Sequence, residues 1–220
     1  HQEARRQRQM CIRDSSCCSL ALENSPWLID EILTRNHEIS AHGVKWISHA
    51  YLSKEEEKEI INDCYSSILK LSGHPPVGWH TKSSTSPFTR DLLIEHGGFT
   101  YDSNAYNDDI PYVLKKNDQK LVIIPYSFDT NDMRYDGNNG FVRGDDFNIY
   151  CKESFNQLLS ETDDGSLRMM SIGLHPRIIG RPGRIKGLED FIKHIKTYEN
   201  VWIPKRMDIA KSCLERDSFN

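Results

Sequence analysis

Beyond about position 16, short apolar runs and amphipathic helical stripes take turns roughly six times along this chain, and no other feature constrains the fold as much. Ser53 opens the clearest helix: Glu56 stands three residues later as a capping box, and Ile60, Ile61, Cys64, Ile68 and Leu71 form its stripe. Gly73 ends it. A helix capped by Asn24 or Ser25 carries Pro26 in its first turn, then Trp27, Leu28, Ile29, Ile32 and Leu33. Others start at Ser86–Pro87, at Asp145 or Asp146, along the stripe Ile185, Leu188, Phe191, Ile192 and Ile195, and at Lys205. Strands are predicted between them, over 17–22, 37–43, 77–80, 99–102, 121–126, 169–174 and 201–203. This alternation predicts an α/β fold, a parallel sheet with crossover helices, and does not separate an open sheet from a barrel. No repeat or linker marks a boundary, so 16–220 reads as a single domain. Residues 1–15 lack apolar periodicity and read as a non-native or disordered tail. The polar stretches 103–119 and 127–144 are long enough to suggest functional loops.

Composition excludes some functions. The chain has 28 Lys and Arg against 32 Asp and Glu, a net charge of -4, which argues against a nucleic-acid surface. No apolar run approaches the roughly 18 residues of a membrane span, and no secretory signal opens the chain. The six cysteines form no CxxC pair, which suits a reduced, cytoplasmic protein.

In parallel α/β architectures, sites form at the carboxyl ends of strands. His42, His175 and the segment 129–134 fall at such ends, and the predicted topology brings them to one face. His175 is followed by Arg177, Arg181 and Arg184, a pattern suited to carbonyl or carboxylate oxygens. The alternative is a histidine bonded to a backbone carbonyl beside solvated arginines. Around His42, the other imidazoles, His37 and His49, miss the four-residue spacing of a helical metal pair, and position 46 is Trp. Asp108 and Asp109 suit a loop turn, and Asn131, Asp132 and Arg134 suit short bonds within their own loop. There is no glycine-rich phosphate loop and no GxSxG elbow.

Four blocks then follow in order: Glu38–Trp46, Gly98–Tyr112, Ile124–Arg134, and Met169–His175 continuing through Arg181–Arg184. Together they resemble the allantoinases of the polysaccharide-deacetylase (NodB-like) superfamily, over about Leu20 to Ala210. The resemblance implies a distorted (β/α) barrel, lacking here its first strand or strands and their acidic motif. It implies hydrolysis of a cyclic amide, allantoin to allantoate, in purine catabolism, with a small ureide as substrate and a homotetramer as the assembly. Relatives in the deacetylase branch hold a divalent metal such as zinc through an Asp and two His. Trp46 stands where the second His would be, as in the allantoinase branch, so no metal or other cofactor is expected. His175 matches the closing histidine motif. Catalysis is therefore expected from His175 and His42, and substrate binding from Trp46, Trp79, Asp109, Asn131, Arg134 and Arg181. Lys82 lies in a loop where relatives carry Arg. Metal-dependent N-deacetylation of a polysaccharide or peptidoglycan is the alternative reading, and an inactive fragment a third.

Overall fold

The computed structural model describes residues 14–137, 140–163 and 165–217. The expected tail lies outside these, except Asp14 and Ser15, which belong to a strand. The chain forms two compact units. A sheet unit takes in Ile12–Ala105, Pro111–Ile124 and Ile203–Asn220; a helical unit takes in Tyr106–Ile110 and Pro125–Trp202.

The sheet unit holds β1 (Asp14–Cys17), β2 (Glu38–Ala41), β3 (Gly78–Trp79), β4 (Tyr101–Asp102), β5 (Tyr112–Lys116) and β6 (Gln119–Ile123), in the order β1-β2-β3-β4-β6-β5. All neighbours are parallel except the β5–β6 hairpin. Its helices are α1 (Ser19–Asn24), α2 (Trp27–Thr34), α3 (Lys54–Ser72), α4 (Thr89–His96) and α8 (Arg206–Asp217). The capping box of α3 forms as the sequence predicts, and Gly73 closes the helix at φ 72°. The core joins Ile39 and Ala41 of β2, Leu121 and Ile123 of β6, Ile61, Cys64 and Ile68 of α3, and Leu92 and Leu93 of α4. Gly78 has no room for a side chain. A Cβ there would stand 1.9 Å from the Tyr101 ring, whose hydroxyl donates to Glu38 Oε1 at 2.7 Å.

The helical unit pairs α5 (Gly144–Ser160) with α7 (Pro182–Ile195); α6 (Pro176–Ile179) and a 3-10 turn (Asp132–Tyr135) lie beside them in sequence and space. Its core is Phe147, Cys151, Phe155, Leu188, Phe191, Ile178 and Ile179. The two long helices approach closely because both carry glycine at the crossing: a Cβ on Gly187 would meet the Gly144 carbonyl at 2.0 Å.

Three expectations change. Residues 17–22 do not continue a strand, since the chain turns into α1 at Ser19. Residues 169–174 and 201–203 form no strand, and Gly173 makes only an isolated parallel bridge with Asn131. The stretch 103–119, expected to be loop, contains β5. Asn117 and Asp118, at φ 49° and 60°, make the left-handed two-residue turn into β6. No helix among the described residues is long and apolar enough to cross a membrane.

Candidate active site

The helical unit holds the best-defined pair. His175 lies just before α6, where the chain leaves the Asn131–Gly173 bridge. Asp132 opens the 3-10 turn, its N–H bonded to the Gly173 carbonyl at 2.9 Å. The Asp132 carboxylate is fully buried, and each oxygen has a task. Oδ1 accepts from His175 Nδ1 at 2.6 Å; Oδ2 accepts from the backbone N–H of His175 at 2.7 Å and of Ile179 at 3.2 Å. The carboxylate therefore sets the imidazole's position, orientation and tautomer, with the proton on Nδ1. The His175 side chain remains about a quarter exposed. Sequence reasoning gave Asp132 only a loop role, because a spacing of 43 residues carries no pattern.

Asn131 and Arg134, expected to bind substrate, are engaged in holding this segment. Asn131 is buried; its Nδ2 donates to the Tyr126 hydroxyl at 2.6 Å and its Oδ1 accepts from Met133 N–H at 2.8 Å. The Arg134 guanidinium lies over Phe141 and Tyr150, 4.4 and 4.3 Å from the ring centres, and donates to the Asp129 carbonyl at 3.0 Å. Arg181 is exposed at the start of α7. Arg184 lies over Tyr135 at 4.4 Å. Asp109 lines a cleft of about 410 Å³ with Asp108, Asp129, Tyr106, Tyr126 and Phe128. The sequence reading missed these three aromatics, although Tyr106 and Phe128 sit in the two polar stretches it singled out and Tyr126 ends the predicted strand 121–126.

In the sheet unit, His42 follows β2 and His80 follows β3, with ring centres 5.3 Å apart. His42 Nδ1 bonds the His80 carbonyl; a carbonyl only accepts, so that nitrogen carries the proton and Nε2 has the lone pair. Trp46 is partly exposed, with Lys82 Nζ 4.6 Å above its ring. Trp79 does not form an outer wall. It is fully buried, its indole N–H donates to Thr81 Oγ1 at 2.8 Å, and it packs edge-on against Phe99. At the end of β4, buried Asp102 pairs with Arg90 at 3.0 Å and accepts from Asn104. Burial pushes its carboxyl above the usual range against the pull of both partners.

Two buried glutamates lie away from these ends. His49 and Glu57 pair at 2.9 Å, and Ser86 and Thr89 also donate to Glu57. Burial pushes the Glu57 carboxyl up, but those bonds outweigh it and hold it below the ordinary value. Glu38, at the start of β2, is raised to about 7 by burial and by the nearby Asp14 charge, against the bonds from Tyr101 and from Met207 N–H.

Among the described residues no group of three or more His, Cys, Asp or Glu side chains could hold a metal ion.

No protein-family model matches the chain. A candidate polysaccharide deacetylase from Pseudomonas aeruginosa PAO1 superposes with a TM-score of 0.86 at 36% identity, over 96% of this chain and 70% of that one. PuuE allantoinase superposes with a TM-score of 0.86 at 39% identity, over 90% of this chain and 66% of that one. A candidate polysaccharide deacetylase of Schizosaccharomyces pombe is 34% identical over 208 residues, 87% of this chain. The chain spans 65% of that relative's length. The chain belongs to the polysaccharide deacetylase superfamily and has its α/β fold.

Proposed function

We propose that this chain is part of a hydrolase that opens a cyclic amide, allantoin to allantoate, with water as the nucleophile. The observation that carries it is the Asp132–His175 pair, a buried carboxylate holding a partly exposed imidazole with its Nδ1 protonated. The likeness to PuuE allantoinase supports the choice of substrate, as does Trp46 under Lys82 at the position the deacetylase branch gives to a metal-binding His.

Water adds to the hydantoin carbonyl, forming a C–O bond. The C–N bond then breaks, and His175 supplies the proton the departing nitrogen needs. The water's protons pass to His175 and to solvent, leaving a carboxylate and a ureide N–H. The tetrahedral oxyanion needs fixed donors, each worth about 3 kcal/mol. Arg181, Arg184 and backbone N–H groups supply them in this reading.

The test is turnover of allantoin by the full-length protein, with and without chelator, beside His175→Ala. The variant is expected to lose turnover while chelator has no effect. Near-normal ring opening by His175→Ala rejects the mechanism. Acetyl release from an amino-sugar polymer, abolished by chelator, would favour the deacetylase reading suggested by the names of the Pseudomonas and Schizosaccharomyces relatives.

A further inference from the structure

The cleft in the helical unit is used by no step above, and its charged side chains are all acidic. Its walls are π faces. Tyr106 stacks on Phe128 with centres 4.7 Å apart and planes 11° apart, and Tyr126 meets each ring edge-on. Phe128 is 54% exposed and Tyr106 43%, so this apolar area faces outward. Its polar side chains are Asn107, Ser127 and the carboxylates of Asp108, Asp109 and Asp129, and ionised carboxylates only accept hydrogen bonds. Asp108 commits Oδ1 to the N–H groups of Asp109 and Ile110. A volume of about 410 Å³ lies in the range of small-molecule sites. The cleft is tied to the segment of the candidate catalytic pair: Tyr126 accepts from Asn131, whose backbone pairs with Gly173, two residues before His175.

A ligand that suits this lining has a flat face for the rings, several N–H donors for the carboxylates, and no negative charge. We propose that the cleft is the holding site for a neutral, planar, N–H-rich ureide, and that its carboxylates disfavour the ring-opened anion. This rests on the ring-opening reading for the identity of the ureide. The neutral ring then binds in preference to the carboxylate formed by hydrolysis, which speeds product release.

The experiment titrates the full-length protein with allantoin and with allantoate by calorimetry, in parallel with steady-state kinetics. Phe128→Ala is expected to weaken allantoin binding about tenfold through lost stacking, seen as a higher KM rather than a lower kcat. Asp109→Asn with Asp129→Asn is expected to weaken allantoin and to tighten allantoate at least about threefold at low salt, the second effect fading as salt rises. Both sites of change are exposed, so folding is preserved. His175→Ala is expected to bind allantoin while failing to open it, which separates the cleft from the chemistry. Wild-type protein that binds allantoin in the cleft but does not open it sinks the reaction and leaves the cleft standing. Ring opening whose KM neither variant moves overturns the cleft and leaves the reaction. No saturable binding, or preference for glucosamine over allantoin, also overturns the cleft.

Discussion

Asp132 makes no contact with solvent, yet it decides what His175 can do. Replacing it with Asn keeps the shape but puts an N–H donor where an acceptor is needed, so the imidazole loses its fixed tautomer. Asp132→Asn is expected to cut ring opening by about 10²–10⁴-fold, read as kcat under single-turnover conditions. A loss below threefold would return Asp132 to a loop-building role. The two buried glutamates predict opposite responses to acid. Glu38 has its folded value raised, so it favours folding below about pH 4.5 and loses that contribution as pH climbs towards about 7. Glu57 is held low, so its contribution is present above the ordinary carboxylate value and is lost on acidification. Glu38→Gln is expected to flatten the fall in Tm between pH 4.5 and 7. An unchanged slope would assign that fall to other groups. Sequence reading could locate His175 and His42 because each follows a recognisable apolar run. It could not find Asp132, Tyr106, Tyr126 or Phe128, whose roles depend on contacts between loops.

At the scale of elements, local chemistry was most legible where caps and stripes agree. The helix from Ser53 to Gly73 is the clearest case, and α7 follows its Ile185–Ile195 stripe. The strand expected over 169–174 fails for a physical reason. Its bonds go to scattered loop groups, with Met169 N–H to Asp109, Gly173 N–H to Thr130, and Asp132 N–H to Gly173, so no continuous ladder forms. Strand β5 was overlooked because its lysines read as loop, although Asn117–Asp118 is a hairpin-turn signal. The α5–α7 crossing gives a sharp test. Gly187→Ala places a methyl against the Gly144 backbone and is expected to destabilise the helical unit by about 1–3 kcal/mol, measured by urea unfolding. Phe147→Ala, in the same core, is expected to cost about 3–5 kcal/mol. A neutral Gly187→Ala would show that the helices can slide apart cheaply.

For the whole molecule, the sequence supported an α/β chain of alternating elements but not its division into two units. That division depends on contacts between residues far apart in the chain. Arg206 donates to Asp14 from both its backbone N–H and its guanidinium, and Met207 N–H reaches Glu38. Asp14→Ala is expected to loosen α8, with faster amide exchange there than in α5 or α7; uniform exchange across all three helices would count against this. The sheet unit also takes its last helix from beyond the entire helical unit. On the ribosome, then, β4, β5 and β6 emerge well before α8, which packs on them, and wait for it while about eighty further residues are made. A nick ahead of Arg206 is expected to destabilise the sheet unit, seen as a lower Tm of the clipped protein.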